Sequence, residues 1–345
     1  MKKILFTGGG SAGHVTPNIG LIEEIVKKGL ADVCYIGSNG LEKDLISPLK
    51  IPYFTINPPK LVRGFSWKNF TLPAKLVQAI KEAEKGLKAY SPDLVFSKGG
   101  FVSLPVVLAA SKLKIPCLTH ESDLSCGLAN RLIARKCKLV LTSFPETAEK
   151  LKNGKYVGSP LRKSVLGKDR KTALATYGFD GTKKVVLIFG GGSGSQTLNA
   201  GVKKALPELV KRYDILHLCG KGNGGQSRIK GYRQIEFERD MGAAYAAADF
   251  VVSRAGSNAV FEILALKKPA ILVPLEKKSR GDQIQNAAYF TKKGLCKTLK
   301  ESELSALFDT LRALEQDERI KDKLTVSDFS GGNENILREI RRFLP

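Results

Sequence analysis

The residues with the clearest chemical potential lie in three glycine-rich loops, each of which follows a short apolar run. The first loop, residues 8–14, places Ser11, Gly13 and His14 after three consecutive glycines. Glycine lets the backbone approach a ligand, and a helix that follows such a loop offers unpaired N–H groups to an anion or a polar sugar. A neutral imidazole can accept a proton near pH 7, so His14 is a candidate general base. A histidine that only caps or hydrogen-bonds the loop is the alternative.

The second loop, residues 190–195, predicts a diphosphate cradle at the start of a helix. It lacks the Lys-Ser/Thr ending of a P-loop, so triphosphate hydrolysis is not implied. An ordinary tight turn between a strand and a helix is the alternative. The candidate ligands in this loop are Gly191, Gly192, Ser193, Gly194 and Ser195.

The third cluster, made of Lys98, Gly99, Gly100 and Phe101, also follows a predicted strand. Ligands of open α/β sheets bind at the carboxyl ends of the strands, where all three loops are expected. A nicotinamide dinucleotide is not the expected ligand, although glycines 8, 10 and 13 match GxGxxG. That motif needs an acidic residue after the second strand to bind the ribose hydroxyls, and residues 36–39 read Ile-Gly-Ser-Asn instead.

The elements that must position these loops alternate along the whole chain, because short β-branched runs are followed by segments of helical period. The pattern predicts α/β structure, with two Rossmann-like domains whose parallel sheets face a central cleft. The polar stretch 162–182 is interpreted as the linker, and a helix over 335–344 ends the chain. The predicted strands are residues 4–7, 33–36, 94–97, 117–119 and 139–142, then 185–189, 215–218, 250–253 and 270–273.

Composition is that of a folded two-domain protein, with 345 residues of which 43% are hydrophobic and 26% charged. The formal charge of +23 is spread over both halves and indicates an anionic partner. No zinc-finger, leucine-zipper or RNP-type motif accompanies it, so nucleic acid is not an expected partner. The six cysteines form no CxxC pair, and no metal site is predicted.

A longer array of motifs runs through the second half of the chain: Asp240-Met241, Ala244-Tyr245, Ala248-Asp249, residues 253–257, Glu262, Asp282-Gln283 and Asn286-Ala287. Before it come the loop with His14, residues 98–105, His120-Glu121, Gly127, Asn130 and residues 158–162. Together these motifs resemble the MurG family, the UDP-N-acetylglucosamine transferases of peptidoglycan synthesis, which have the GT-B fold. The resemblance covers nearly the whole chain.

The resemblance implies that the second domain, residues 162–332, binds the donor UDP-GlcNAc. Glu262 is expected to bind the ribose hydroxyls, while the backbone at Phe237 and Glu238 contacts the uracil edge. Asp282 and Gln283 are expected to hold the sugar hydroxyls. The other implied donor ligands are Ser11, Gly13, Asn130, Arg162, residues 191–195, Arg254 and Ser257.

Two of these assignments have simple alternatives. Arg162 and Arg254 are expected to offset phosphate charge, but Arg254 could also be a surface cation. Glu262 could equally be a solvated helix residue.

The first domain, residues 1–161, is implied to bind the acceptor, with the helix at 333–345 packed back on it. The acceptor is lipid I (undecaprenyl-pyrophosphoryl-MurNAc-peptide), and transfer to its MurNAc 4-hydroxyl with inversion gives lipid II. His14 is the expected base, and Lys98, Gly99, Gly100 and Phe101 are assigned to the acceptor side. His120 and Glu121 could orient the acceptor, assist the base or form a buried pair.

An anionic membrane surface is the other expected partner, because lipid I is held in a bilayer and the sequence contains no spanning segment. Phe65, Trp67 and Phe70, between basic residues, predict a docking patch over residues 61–72. The basic residues of 74–88 are interpreted as the solvated side of a core helix. No secretory signal is recognised, so the protein is expected on the cytoplasmic face of the cell (inner) membrane as a peripheral enzyme.

Two departures from the family pattern concern fine substrate preference. Gly192 stands where a serine is usual, and Ser122-Asp123 replaces an asparagine after the His-Glu pair. No cofactor is expected, and because no DxD carboxylate pair is present, metal-independent chemistry is predicted. A GT-B transferase with another acceptor, such as diacylglycerol, and a nucleotide-sugar-binding module without turnover are the competing functions.

Overall fold

Two parallel β-sheets, one in each half of the chain, organise the computed structural model, which describes residues 2–60, 71–225, 229–277 and 280–344. The chain divides into two compact units. Unit 1 comprises Met1–Arg162 and Ser330–Pro345, and unit 2 comprises Lys163–Phe329. The predicted α/β fold class, with a parallel sheet in each half, is confirmed. No helix of the described residues combines the length and apolar character needed to span a membrane.

The sheet of unit 1 has the strand order β3-β2-β1-β4-β5-β6-β7, with every neighbouring pair parallel. Its strands are β1 (Lys3–Thr7), β2 (Asp32–Gly37), β3 (Tyr53–Thr55), β4 (Leu94–Ser97), β5 (Cys117–Glu121), β6 (Leu139–Thr142) and β7 (Gly154–Tyr156). Its helices are α1 (Thr16–Lys27), α2 (Leu41–Ile46), α3 (Leu72–Tyr90), α4 (Ser103–Lys112), α5 (Leu128–Ala134), α6 (Pro145–Glu149) and, from the end of the chain, α14 (Gly332–Phe343).

The sheet of unit 2 has the order β10-β9-β8-β11-β12-β13, again parallel throughout. Its strands are β8 (Lys184–Phe189), β9 (Tyr213–Leu218), β10 (Tyr232–Ile235), β11 (Phe250–Ser253), β12 (Ala270–Leu272) and β13 (Lys297–Thr298). Its helices are α7 (Arg170–Tyr177), α8 (Gln196–Arg212), α9 (Met241–Ala247), α10 (Ser257–Ala265), α11 (Asp282–Lys292), α12 (Leu307–Glu315) and α13 (Glu318–Val326).

In both sheets the strand order reverses at one place, between β1 and β4 in unit 1 and between β8 and β11 in unit 2. Loops that leave adjacent strands in opposite directions open a crevice there, which is where ligands of open α/β sheets bind. Each of the three glycine-rich loops follows one of these four strands. The topology therefore brings the loops with His14 and Lys98 to one switch point and places residues 190–195 at the other.

The C-terminal helix α14 belongs to the core of unit 1. Ile336, Leu337 and Ile340 are buried in the same cluster as residues of β1 and α1. Asn333 secures the start of the helix, because its side chain accepts from Leu161 N (2.7 Å) and donates to Leu161 O (2.9 Å). Burial of three aliphatic side chains, at about 1.5–3 kcal/mol each, stabilises this return of the chain to unit 1.

The interpretation of residues 162–182 as a linker is wrong. The segment forms a 3₁₀ turn at Lys163–Val165 and helix α7, and Val165, Ala173 and Tyr177 are buried in the core of unit 2. Asp169 caps α7 by accepting from Thr172 N at 2.8 Å. The charged side chains of α7 lie on its solvent-facing side, and this polar composition is why the segment was interpreted as a linker.

Candidate functional site

The site in unit 1 is built where the loops after β1 and β4 pack on each other. Residues Ala12–His14 form a 3₁₀ turn before α1, and Gly99 and Gly100 follow β4 with φ angles of +86° and +83°. Side chains at these two glycines would collide with Asn130 and with the His14 ring, so both the backbone conformation and the space require glycine. Phe101 packs its ring directly on Gly10.

His14 lies between the two loops, and the partner of its Nδ1 determines which ring nitrogen carries the proton. Its Nδ1 is 3.2 Å from the carbonyl oxygen of Lys98. Because a carbonyl oxygen only accepts, Nδ1 carries the proton in the neutral ring and the lone pair is on Nε2. Ser11 precedes this turn and Gly13 lies within it, and the Ser11 carbonyl accepts from His14 N at 3.1 Å. The turn thus presents an imidazole in a fixed orientation, and its role as the base stays a prediction.

Asn130 and Glu121 support the loop after β4 from the side of α5. Asn130 Oδ1 accepts from Gly100 N at 3.1 Å, and Asn130 Nδ2 donates to Glu121 Oε2 at 2.7 Å. Glu121 Oε1 accepts from Asp123 N at 3.0 Å. Burial, and next the neighbouring Asp123 charge, raise the pKa of the Glu121 carboxyl. These residues are brought together with His14, while a direct contact of Asn130 with the donor stays a prediction.

His120 is fully buried and does not pair with Glu121, which removes the buried-pair alternative for these two residues. Its Nε2 is 3.0 Å from Gly158 O, and its Nδ1 is 3.4 Å from Ser122 Oγ. Burial and the nearby Lys98 charge hold the pKa of the imidazole well below its usual value. The neutral ring thus joins the end of β5 to the segment after β7, and its expected part in orienting the acceptor or assisting the base stays a prediction.

The remaining site residues predicted in the first half of the chain are Arg162 and the three aromatic residues of the docking patch. Arg162 is the last residue of the first segment of unit 1 and is partly exposed. Phe65, Trp67 and Phe70 lie outside the described residues.

In unit 2 the loop of residues 190–195 leads from β8 into the N-terminus of α8. Gly191 and Gly194 have φ angles of +90° and +74°, and Ser195 Oγ caps the helix by accepting from Leu198 N at 3.3 Å. Gly191, Gly192 and Ser193 are exposed, as are Gln196 and Thr197, the first two residues of this 17-residue helix, whereas Leu198 N is bonded to the Ser195 cap. The loop and the first helical residues are thus accessible to an anionic ligand. A Cβ at Gly192 would meet nothing within 4 Å, so a serine would fit at this position and steric hindrance does not explain the glycine.

Arg254, after β11, supports this loop from beneath and is only 8% exposed, which excludes the surface-cation alternative. Its Nη2 donates to Ser195 Oγ at 2.6 Å and pairs with Glu301 Oε1 at 2.5 Å, while Nη1 donates to Val273 O and Pro274 O. A direct contact of Arg254 with phosphate therefore stays a prediction, while its contacts within the protein are clear. Its charge is neutralised by Glu301, and the guanidinium holds the ends of β8, β11 and β12 together.

Glu262 and Ser257 lie on α10, which begins after the Gly256 N-cap. Glu262 is 7% exposed and accepts from Tyr245 OH at 3.2 Å, so the solvated-residue alternative is excluded. The carboxylate is held by an aromatic hydroxyl, and its expected contact with the ribose hydroxyls stays a prediction.

Phe237 and Glu238 follow β10 and differ in environment. Phe237 is half exposed, as a residue that stacks on or flanks a base would be. The Glu238 carboxylate accepts from Tyr177 OH (2.9 Å) and Asp240 N (2.8 Å), which fixes the backbone of this loop before α9.

Asp282 and Gln283 start α11. Gln283 Oε1 accepts from Leu275 N at 3.0 Å, which orients its amide group, and Asp282 lies 3.5 Å from Arg280 Nη2. The described residues of the chain contain no group of three or more His, Cys, Asp or Glu side chains that could hold a metal ion.

The sequence analysis missed Glu301 altogether, and it noted Ser122 only as a departure from the family pattern. Glu301 begins the 3₁₀ helix Glu301–Ala306, just after the two-residue edge strand β13, and Ser122 links Lys98 to His120. Glu301 lies at a carboxyl strand end like the other site residues, and recognition of β13 is the signal that would have pointed to it.

Comparison with known proteins agrees with this arrangement. Residues 4–142 match the glycosyltransferase family 28 N-terminal domain and residues 185–328 its C-terminal domain. A Clostridium perfringens (strain SM101 / Type A) protein is 43% identical over 99% of this chain and 98% of its own length. A Clostridium botulinum (strain Langeland) protein is 42% identical over 99% of both chains. Both are named UDP-N-acetylglucosamine--N-acetylmuramyl-(pentapeptide) pyrophosphoryl-undecaprenol N-acetylglucosamine transferase.

Among solved structures, the crystal structure of Acinetobacter baumannii MurG shares the fold, with a TM-score of 0.76 at 24% identity over 99% of this chain and 100% of that one. The resemblance noted in the sequence is therefore confirmed over the full length. This chain belongs to the MurG family of glycosyltransferases, within glycosyltransferase family 28.

Proposed function

We propose that this chain transfers N-acetylglucosamine from UDP-GlcNAc to the 4-hydroxyl of the MurNAc unit of lipid I, with inversion, and so forms lipid II. The observation that carries the proposal is the 43% identity, over 99% of the chain, to proteins named for this transfer. The oriented imidazole in unit 1 and the accessible start of α8 in unit 2 support the proposal, because such a transfer needs a base for the acceptor and stabilisation of the diphosphate.

The acceptor side of the mechanism is assigned to unit 1. Nε2 of His14 accepts the proton of the 4-hydroxyl as its oxygen attacks the anomeric carbon of GlcNAc from the face opposite UDP. The Lys98 carbonyl keeps the ring in the required tautomer through Nδ1. Gly99, Gly100 and Phe101 form the adjacent surface for the acceptor sugar.

The donor side is assigned to unit 2. The loop of residues 191–195 and the first N–H groups of α8 stabilise the charge that develops on the UDP leaving group. Glu262 accepts from the ribose hydroxyls, the loop at Phe237 and Glu238 binds the uracil edge, and Gln283, beside Asp282, holds the sugar hydroxyls. Ser257 lies at the start of α10, close in sequence to Glu262.

The transfer itself is tested with radiolabelled UDP-GlcNAc and, in parallel reactions, lipid I and diacylglycerol as acceptors. We expect label in lipid II only. Transfer to diacylglycerol alone would replace the proposed acceptor, and UDP-GlcNAc binding with no transfer to either would support a binding module.

The transfer is proposed to require no metal ion, because the N-terminus of α8 offers fixed positive potential to the diphosphate. The same reaction in excess chelator should keep its rate, and restoration by one stoichiometric ion would overturn that point.

We propose that the enzyme works as a peripheral protein on the cytoplasmic face of the inner membrane, through the patch with Phe65, Trp67 and Phe70. A Trp67→Ser/Phe70→Ser variant should lose most flotation with anionic liposomes, because apolar rings and nearby cations together favour such an interface. Val326→Ser, a change at an 84% exposed apolar residue of unit 2, is the control and should float as the wild type does. Undiminished flotation of the double variant would rule the patch out.

A further inference from the structure

Lys98 is the one lysine among the largest fully buried side chains of the described residues, with 1% of its surface exposed. Burying an ammonium group costs free energy unless the group is paired and hydrogen-bonded, so the contacts of Lys98 indicate why it is buried. Nζ donates to Ser122 Oγ at 2.5 Å. Glu121 and Asp123 are the nearby negative charges, and burial outweighs them, lowering the pKa of Lys98 to about 8.

The Lys98 side chain begins a line of hydrogen bonds across three strand ends. Gly158 O accepts, so Nε2 of His120 carries the ring proton and Nδ1 holds the lone pair. Ser122 then donates its hydroxyl proton toward Nδ1 (3.4 Å) and accepts from the Lys98 ammonium. The line therefore runs in one direction, from Lys98 after β4, through β5, to the segment after β7.

The same residue meets the catalytic base through its main chain. Lys98 O accepts from His14 Nδ1 at 3.2 Å, and Lys98 N donates to Thr7 O at 2.8 Å. The turn that follows is held on its other side by Asn130 at Gly100 N. Lys98 is thus the residue at which the buried side-chain network and the contact that orients His14 coincide.

We propose that the buried Lys98 side chain, through Ser122 and His120, is a positioning element for the transfer reaction, which fixes the carbonyl that orients His14. The inference rests on the proposed function, in which His14 accepts the acceptor proton. Lys98 does not contact substrate in this role. Its loss changes the placement of the base and hence kcat, while donor binding by unit 2 is unaffected.

The line of hydrogen bonds depends on the Lys98 proton. The titratable groups that face Lys98 are His14 on the first loop, His120 and Glu121 on β5, and Asp123 after it. When Lys98 loses its proton, the neutral amine can accept from Ser122, which withdraws the hydroxyl proton from His120 Nδ1. The order of the network is then lost, so kcat should fall as the pH rises through about 8.

The test compares Lys98→Met, which keeps the stem and removes the ammonium, with Ser122→Ala, which removes only the hydroxyl. Both should lower kcat at pH 7 by roughly 10- to 100-fold, with the KM for UDP-GlcNAc within about twofold of the wild type. In Lys98→Met the fall in kcat near pH 8 should be absent. Lys136→Met, an exposed lysine of unit 1, is the matched control and should keep both the rate and the pH profile.

Circular dichroism and UDP titration of each variant separate misfolding from mispositioning, and Ser122→Ala decides the matter if Lys98→Met does not fold. An unchanged kcat in a folded Lys98→Met or Ser122→Ala variant would overturn the inference. So would a wild-type pH profile that persists in Lys98→Met. Absence of transfer by the wild-type chain would instead overturn the proposed function.

Discussion

Replacement of His14 by alanine is expected to lower kcat about 10²–10⁴-fold, the usual contribution of a positioned general base. The change removes the ring nitrogen that receives the 4-hydroxyl proton and leaves the surrounding loops their own contacts. Those contacts include the Phe101 ring on Gly10 and Asn130 at Gly100 N. Initial rates with saturating lipid I and UDP-GlcNAc, measured from pH 6 to 9, check the expectation.

The control for this experiment is UDP affinity, which calorimetry should find unchanged in His14→Ala because the nucleotide is assigned to unit 2. Glu262→Ala is the reciprocal variant. It should raise the KM for UDP-GlcNAc about 10- to 100-fold, the value of a charged hydrogen-bond acceptor, with a smaller effect on kcat. Loss of UDP binding in His14→Ala, with normal binding in Glu262→Ala, would reverse the assignment of donor and acceptor units.

The residues next to the central strands could be predicted from the sequence because local patterns specify them. An apolar β-branched run followed by glycines marks a buried parallel strand and its ligand-binding end, and all nine predicted strands exist in the structure. Edge strands carry no such pattern. The strands β3, β7, β10 and β13 have two to four residues of mixed polarity and are only partly buried, so they were missed.

The supporting contacts could not be predicted, because they join residues far apart in the chain. Arg254 and Glu301 are 47 positions apart, and Lys98 and Ser122 are 24. A lysine or an arginine in sequence looks like a solvated cation, since both are rarely buried without a partner. Only the parallel sheet, which collects strand ends at one edge, shows that these two cations are buried and what they hold.

The Arg254–Glu301 pair makes a second large effect predictable. Arg254→Met should lower the free energy of unfolding by about 3–5 kcal/mol, because it leaves the carboxylate of Glu301 buried without its cation. The Glu301 side chain is only 11% exposed, so water does not replace the lost partner. Chemical denaturation followed by circular dichroism measures the change. Arg319→Met, whose side chain is 92% exposed and 3.7 Å from Asp317, is the matched control and should stay within about 0.5 kcal/mol.

A double variant separates the stability of unit 2 from its donor site. Arg254→Met/Glu301→Leu places two apolar side chains where the ion pair was, and such replacements recover most or all of the lost stability. Neither side chain can donate to Ser195, so the cap of α8 and the loop before it stay weakened. The KM for UDP-GlcNAc should therefore remain raised about 5- to 30-fold, which corresponds to the free energy of a weakened cap and a lost hydrogen bond. A double variant with wild-type KM would show that the loop is ordered without Arg254. If stability is recovered and donor affinity is not, the buried guanidinium is retained for the geometry of the diphosphate cradle, since the core alone would be as stable without it.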